Sequence, residues 1–136
     1  MSFVPFVVRN WSLRIAAIAL GGGFLVWIPF EDTTTTWVLF FATAICLLGG
    51  ASLLANRQVL GSWSRTGRGA FLGGLAGLAV TPLAIGLMAF KSGLHGHNAP
   101  DFTVAQMLAA LDLFPYFALA GFACGIAAAL WLRAPK

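Results

Sequence analysis

Four long stretches of the sequence contain almost no charge, and they constrain the fold more than any other feature. Each is apolar around the whole helical circumference, which is typical of a segment immersed in lipid. A transmembrane helix needs about 20 mostly apolar residues. Because backbone groups in hydrocarbon must be satisfied within their own segment, each span is predicted to be helical. The four predicted spans cover about 13–30, 37–54, 70–90 and 115–132.

The composition indicates the same fold class. Hydrophobic residues make up 60% of the chain and charged residues only 9%, against about 25% charged in soluble domains. A chain of 136 residues cannot bury so much apolar surface in water, because small domains leave about 40% of their surface exposed. We therefore expect one all-α, polytopic integral membrane domain over residues 1–136, and no soluble enzyme domain. The net charge of +4 comes from scattered cations, so nucleic acid is not an expected partner.

The distribution of lysine and arginine predicts how the spans are oriented. Of the eight cations, all but Lys91 lie in the N-terminal segment, the 55–69 loop or the C-terminal tail. The links 31–36 and 91–101 carry the remaining cation and acidic residues. Lysine and arginine accumulate on the cytoplasmic side of short loops. We therefore expect a multi-pass protein of the inner (plasma) membrane with both termini in the cytoplasm.

The first span is expected to be retained as a membrane helix. Its apolar run after Arg14 is longer than the 7–15 residues typical of a signal peptide, and no A-x-A site follows it. Tryptophans at or near the span ends are expected to anchor the chain at the level of the lipid headgroups. They are Trp11, Trp27, Trp37, Trp63 and Trp131.

A further amphipathic helix is predicted over residues 103–114, on the outer surface before the last span. Thr103 and Gln106 match a capping box. Apolar residues then recur on one helical face. The proline at 115 allows either a separate spanning helix or one long helix over 103–132 that is kinked there. Because the residue before a proline is pushed out of the α region, two separate helices are favoured.

Small residues predict where the helices pack, because they allow close backbone approach in lipid. Such motifs are Ala17-x-x-x-Gly21, Gly73-x-x-x-Gly77 and Gly121-x-x-x-Gly125, with Gly49 and Gly50 in the second span. In the third span Pro82 lacks an N–H and is expected to bend the helix, while Thr81 is expected to bond back to the Gly77 carbonyl. Cys46 and Cys124 are expected to pack near mid-membrane as small hydrophobic residues.

Residues that would support chemistry inside the membrane are missing from the middle of the predicted spans, which contain no His, Asp, Glu, Lys or Arg. Intramembrane ionisable residues mark ion and proton pathways. His95 and His97, near Asp101 in the outer loop, are the strongest metal-ligand candidates. Two histidines at i and i+2 lack the third spaced ligand of a zinc site, so a polar loop is the simpler interpretation. No catalytic, cofactor-binding or metal residue is assigned.

These observations favour a non-catalytic function. We expect a small integral membrane subunit, or an assembly or stabilising factor, of a larger membrane complex, with lipid and other integral membrane subunits as partners. One alternative is a homo-oligomeric channel or small-solute transporter. A second alternative is a metal-handling membrane protein that uses the 91–101 loop at the outer face.

Overall fold

The computed structural model describes residues 11–30, 33–55, 62–95 and 101–131. This part of the chain is all-helical and contains no strand, so the predicted all-α class is confirmed for it. The helices are α1 (Trp11–Trp27), α2 (Thr35–Ala55), α3 (Arg65–His95), α4 (Val104–Leu111) and α5 (Phe114–Trp131).

Three of the helices are long and apolar enough to cross a membrane: α2, α3 and α5. The first helix, α1, is apolar but has 17 residues. At 1.5 Å per residue it is about 25 Å long, against a hydrocarbon core of about 30 Å. Three candidate spans are therefore established by length and composition, and a fourth across α1 stays a prediction.

Helix α3 extends beyond the predicted span 70–90 at both ends. Its start is set by Ser64, whose Oγ accepts a hydrogen bond from the Gly67 amide at 3.0 Å, while its carbonyl accepts from the Arg68 amide at 2.9 Å. Ser64 thus acts as an N-cap, so α3 begins before the apolar run does. The prediction that residues 65–69 form part of a loop was therefore wrong. At its other end α3 continues through Lys91, which the prediction placed in the outer link.

The four longer helices form an open row in the order α1, α2, α3, α5. The most extensive contact is between α3 and α5, the next is between α2 and α3, and the contact of α1 with α2 is much smaller. Neighbours in the row run antiparallel. One end of the bundle, where α1 and α3 begin and α2 and α5 end, contains Arg14, Arg65 and Arg68; we call it the arginine end. The opposite end contains Lys91 and is called the lysine end.

Glycines explain why α3 and α5 pack so closely. A Cβ built on Gly73 would overlap the Gly121 carbonyl oxygen, and one built on Gly121 would overlap the Gly73 carbonyl oxygen. The same reciprocal overlap joins Gly69 and Gly125. The predicted motifs on these two helices therefore pack against each other, and Gly69, which lies outside the predicted span, extends the contact by one turn.

The small-residue motif on α1 behaves differently. A Cβ at Gly21 would meet nothing within 4 Å among the described residues, and Ala17 is exposed. Gly49 on α2 is likewise open. The expectation that these residues mediate packing within the chain was wrong, because α1 contacts α2 near its C-terminal end.

The segment before the last span forms two helices instead of one kinked helix. Thr103 caps α4, its Oγ1 accepting from the Gln106 amide at 3.2 Å, and the Gln106 side chain accepts from the Thr103 amide at 2.8 Å. The predicted capping box is therefore present. Helix α4 ends at Leu111, earlier than predicted, and α5 begins at Phe114 with Pro115 in its first turn.

Candidate functional site

A buried lysine at the lysine end is the most unusual side chain in the described part of the protein. Lys91 is only 1% exposed. Its Nζ lies 4.0 Å from the centre of the Trp27 ring and 5.9 Å from that of Phe102. A cation over a desolvated aromatic face is stabilised by about 2 kcal/mol. Lys91 therefore joins the C-terminal ends of α1 and α3 to the segment that precedes α4.

The lysine is supported by an aromatic cluster. Trp27 is 7% exposed, and its ring lies 5.9 Å from that of Phe24 and 5.3 Å from that of Phe41. Phe24 and Phe41 meet edge to face at 5.4 Å. The prediction that Trp27 anchors the chain in lipid was therefore wrong, because its ring instead covers the ammonium group of Lys91.

Two hydrogen bonds reinforce the same end of the bundle. Ser92 Oγ accepts from the Phe102 amide at 3.3 Å, and Gln106 Nε2 donates to the Thr33 carbonyl at 3.1 Å. The start of α4 is thus attached both to α3 and to the link between α1 and α2. The sequence did not predict this arrangement, because a lysine just beyond an apolar run usually marks a solvated helix end. Only the tertiary contacts distinguish a buried lysine from a solvated one.

A wide apolar groove lies between α1 and α2, with a volume of about 790 Å³. It is open because α1 packs against α2 mainly at the lysine end. Trp27 is the one buried residue of α1, all of which is described. The groove walls include Ala16, Ala19 and Gly23 on α1 and Phe40, Ala44 and Leu48 on α2.

A narrower cavity of about 360 Å³ lies between α2, α3 and α5. Helices α2 and α5 both pack on α3 but scarcely contact each other, which leaves this space open. Cys46 and Cys124 line it from α2 and α5. Both cysteines are free, Cys46 buried and Cys124 exposed.

At the arginine end, a hydrogen bond joins two of the helices that line this cavity. Arg68 Nη2 donates to the Leu54 carbonyl at 3.1 Å, joining the start of α3 to the end of α2. Leu54 and Gly69 both line the cavity. The guanidinium of Arg68 therefore lies beside the cavity at its arginine end.

Thr81 lies in the middle of α3, which continues as a helix through Pro82. Its side chain is completely buried, and its Oγ1 has no hydrogen-bond partner among the described residues. The predicted bond from this hydroxyl to the Gly77 carbonyl is therefore not formed.

The candidate metal ligands cannot be placed by the structure. His97 and the side chain of His95 lie outside the described residues. Within the ranges described, no group of three or more His, Cys, Asp or Glu residues comes together to hold a metal ion.

No protein-family model, curated protein or solved structure matches this chain.

Proposed function

We propose that this protein is a small non-catalytic integral membrane subunit, or an assembly or stabilising factor, of a larger membrane complex. The observation that supports it is the groove between α1 and α2. The groove is open along the two helices and lined by apolar side chains, so a transmembrane helix of another subunit is a suitable occupant.

The dimensions of the groove agree with this occupant. Its α1 wall extends from Ala16 to Trp27, about 17 Å at the rise of an α-helix. The volume of about 790 Å³ then gives a mean cross-section of about 48 Å², three fifths of that of a helix 10 Å in diameter. A partner helix would therefore bury one side here and expose the other.

The groove also presents features that favour helix association in lipid. Gly23 and Ala19 are small, and a Cβ at Gly23 would only reach ordinary contact with Phe41 at 3.8 Å. Small residues let backbones approach closely, and such contacts drive helix association where lipid removes the hydrophobic effect. The neighbouring Gly21 and Gly22 have open space beside them.

In the proposed topology the chain crosses the inner (plasma) membrane four times. Both termini and the arginine end lie on the cytoplasmic side. The grouping of Arg14, Arg65 and Arg68 at one end of the bundle supports this, since cations accumulate on the cytoplasmic side.

Native mass spectrometry in a mild detergent tests the proposal. We expect the chain to occur with at least one different membrane protein at constant stoichiometry. Replacing Ala19 by tryptophan fills the groove and should release that partner, whereas Ile18→Trp, on a residue that is 75% exposed and outside the groove, should not.

Recovery of the unmodified chain only as a monomer would contradict the proposal, and a discrete homo-oligomer would favour the channel or transporter alternative. A complex that survives Ala19→Trp as well as Ile18→Trp would exclude the groove as the docking surface. The unfolding temperature of each variant alone shows that its fold is intact.

A further inference from the structure

We infer that the cavity between α2, α3 and α5 binds one acyl chain of an anionic phospholipid, with the headgroup beside Arg68. This inference does not depend on the proposed function. The cavity and the α1–α2 groove use different faces of α2: Cys46, Gly50 and Leu54 line the cavity, and Phe41, Ala44 and Leu48 line the groove.

The shape of the cavity selects a single hydrocarbon chain. Its α3 wall extends from Gly69 to Val80, about 17 Å at the rise of an α-helix. A volume of about 360 Å³ over that length gives a mean cross-section of about 20 Å², one quarter of the section of a helix 10 Å in diameter. The cavity is therefore too narrow for a helix of a partner protein and suits an extended alkyl chain.

The walls of the cavity are apolar and consist largely of small side chains. Gly50 and Ala51 contribute from α2, Ala76 from α3, and Ala120 and Ala128 from α5. An alkyl chain needs no hydrogen-bond partner. When it fills the cavity, the side chains that line the walls gain dispersion contacts that they lack while the cavity is empty. Because lipid surrounds the helices, an acyl chain is the apolar ligand present in greatest excess.

The charge at one end of the cavity selects an anionic headgroup. Arg68 is held there by its 3.1 Å bond to the Leu54 carbonyl, and Arg65 lies one turn earlier on α3. Arginine forms charge-assisted hydrogen bonds to phosphate, and the two positive charges persist whatever other contacts these side chains make. Of the described acids, Asp101 and Asp112 lie by α4, at the opposite end of the bundle.

Lipid titration followed by native mass spectrometry of the purified protein tests the inference. The probes are dioleoylphosphatidylglycerol and dioleoylphosphatidylcholine, which share their acyl chains and differ in net charge. We expect the first bound phosphatidylglycerol to be held about fivefold more tightly than phosphatidylcholine for each cation that contacts it. Arg68→Gln should remove about fivefold of this preference, while Arg14→Gln, a cation at the same end of the bundle but on α1, should leave it unchanged.

A second set of variants tests whether the acyl chain binds in the cavity. Ala120→Trp fills the cavity from α5 and should weaken the first binding event of both lipids at least tenfold. Ala123→Trp places the same side chain on an exposed residue of α5 outside the cavity and should bind as the unmodified protein does. Ala128→Trp is a second cavity-filling variant, to be used if Ala120→Trp does not fold.

Equal binding of the two lipids, or an equal effect of Arg68→Gln and Arg14→Gln, would overturn the headgroup assignment. Unchanged lipid binding in folded Ala120→Trp or Ala128→Trp protein would overturn the cavity as the acyl-chain site.

Discussion

The ammonium group of Lys91 lies 4.0 Å from the centre of the Trp27 ring, and this contact joins the ends of α1 and α3. Because Trp27 is the buried residue of α1, the position of α1 depends on it. The contact thus links the stability of the lysine end to the width of the groove between α1 and α2.

Removing the aromatic face should therefore destabilise the protein. We expect Trp27→Leu to lower the free energy of unfolding by about 3 kcal/mol, since it removes both ring packing and the cation–π contact. Trp27→Phe should retain part of this stability because it keeps a π face. Trp131→Leu is the matched control, because Trp131 is 82% exposed. Thermal unfolding in detergent measures the difference, and similar melting of Trp27→Leu and Trp131→Leu would disprove the role of Trp27.

The packing of α3 on α5 predicts opposite effects at two glycines of the same helix. Gly73→Ala should destabilise the protein by about 1–3 kcal/mol, because the added methyl group overlaps the Gly121 carbonyl. Gly86→Ala should be neutral or stabilising by up to about 1 kcal/mol, because its Cβ meets nothing within 4 Å and alanine favours the helix. Thermal unfolding of both variants measures these effects. Equal shifts in unfolding temperature would be inconsistent with the close contact between α3 and α5.

The capping box predicts local changes at α4. Thr103→Ala should cost about 1 kcal/mol of helix stability, which corresponds to about fivefold faster amide exchange in the first turn of α4. Thr103→Ser keeps the capping hydroxyl and should exchange like the unmodified protein. Hydrogen exchange read by mass spectrometry tests this. Equal protection in the alanine and serine variants would show that the cap does not stabilise α4.

The buried hydroxyl of Thr81 predicts a stabilising substitution. Thr81→Val keeps the shape of the side chain and removes a polar group that has no hydrogen-bond partner among the described residues. We expect the free energy of unfolding to rise by about 1 kcal/mol. Ser52→Ala is the contrast, because Ser52 Oγ donates to the Leu48 carbonyl at 2.7 Å, and it should give no such gain. A lower unfolding temperature for Thr81→Val would contradict this account.

Cysteine accessibility tests whether α1 spans the membrane. With Cys46 and Cys124 replaced by alanine, single cysteines at Thr33, Ser62 and Ser2 are treated with a membrane-impermeant maleimide in intact cells. Four spans predict that only the Thr33→Cys chain is labelled before permeabilisation. Labelling of Ser2→Cys together with Thr33→Cys would show that α1 lies on one side, and labelling of Ser62→Cys instead of Thr33→Cys would reverse the topology.

Local sequence pattern was sufficient for the all-α class and for the cap at Thr103, because helical periodicity and capping depend on residues within one or two turns of each other. The same local signals identified Gly73, Gly77, Gly121 and Gly125 as packing residues. The pattern could not show that the motifs on α3 and α5 meet each other while Gly21 stays open, since every small-residue motif has the same appearance before the helices are assembled.

The tertiary structure alone decided the roles of Lys91, Trp27 and Arg68. A lysine beyond an apolar run and a tryptophan at a span end have the same sequence signature whether they face water, lipid or each other. The burial of Lys91 against Trp27 joins residues more than sixty positions apart, and this contact arises only because α1 and α3 end at the same side of the bundle. Arg68 lies beside the cavity because it bonds the Leu54 carbonyl of another helix. The two apolar clefts have the same origin, because a space between helices is a property of their arrangement and not of any single segment.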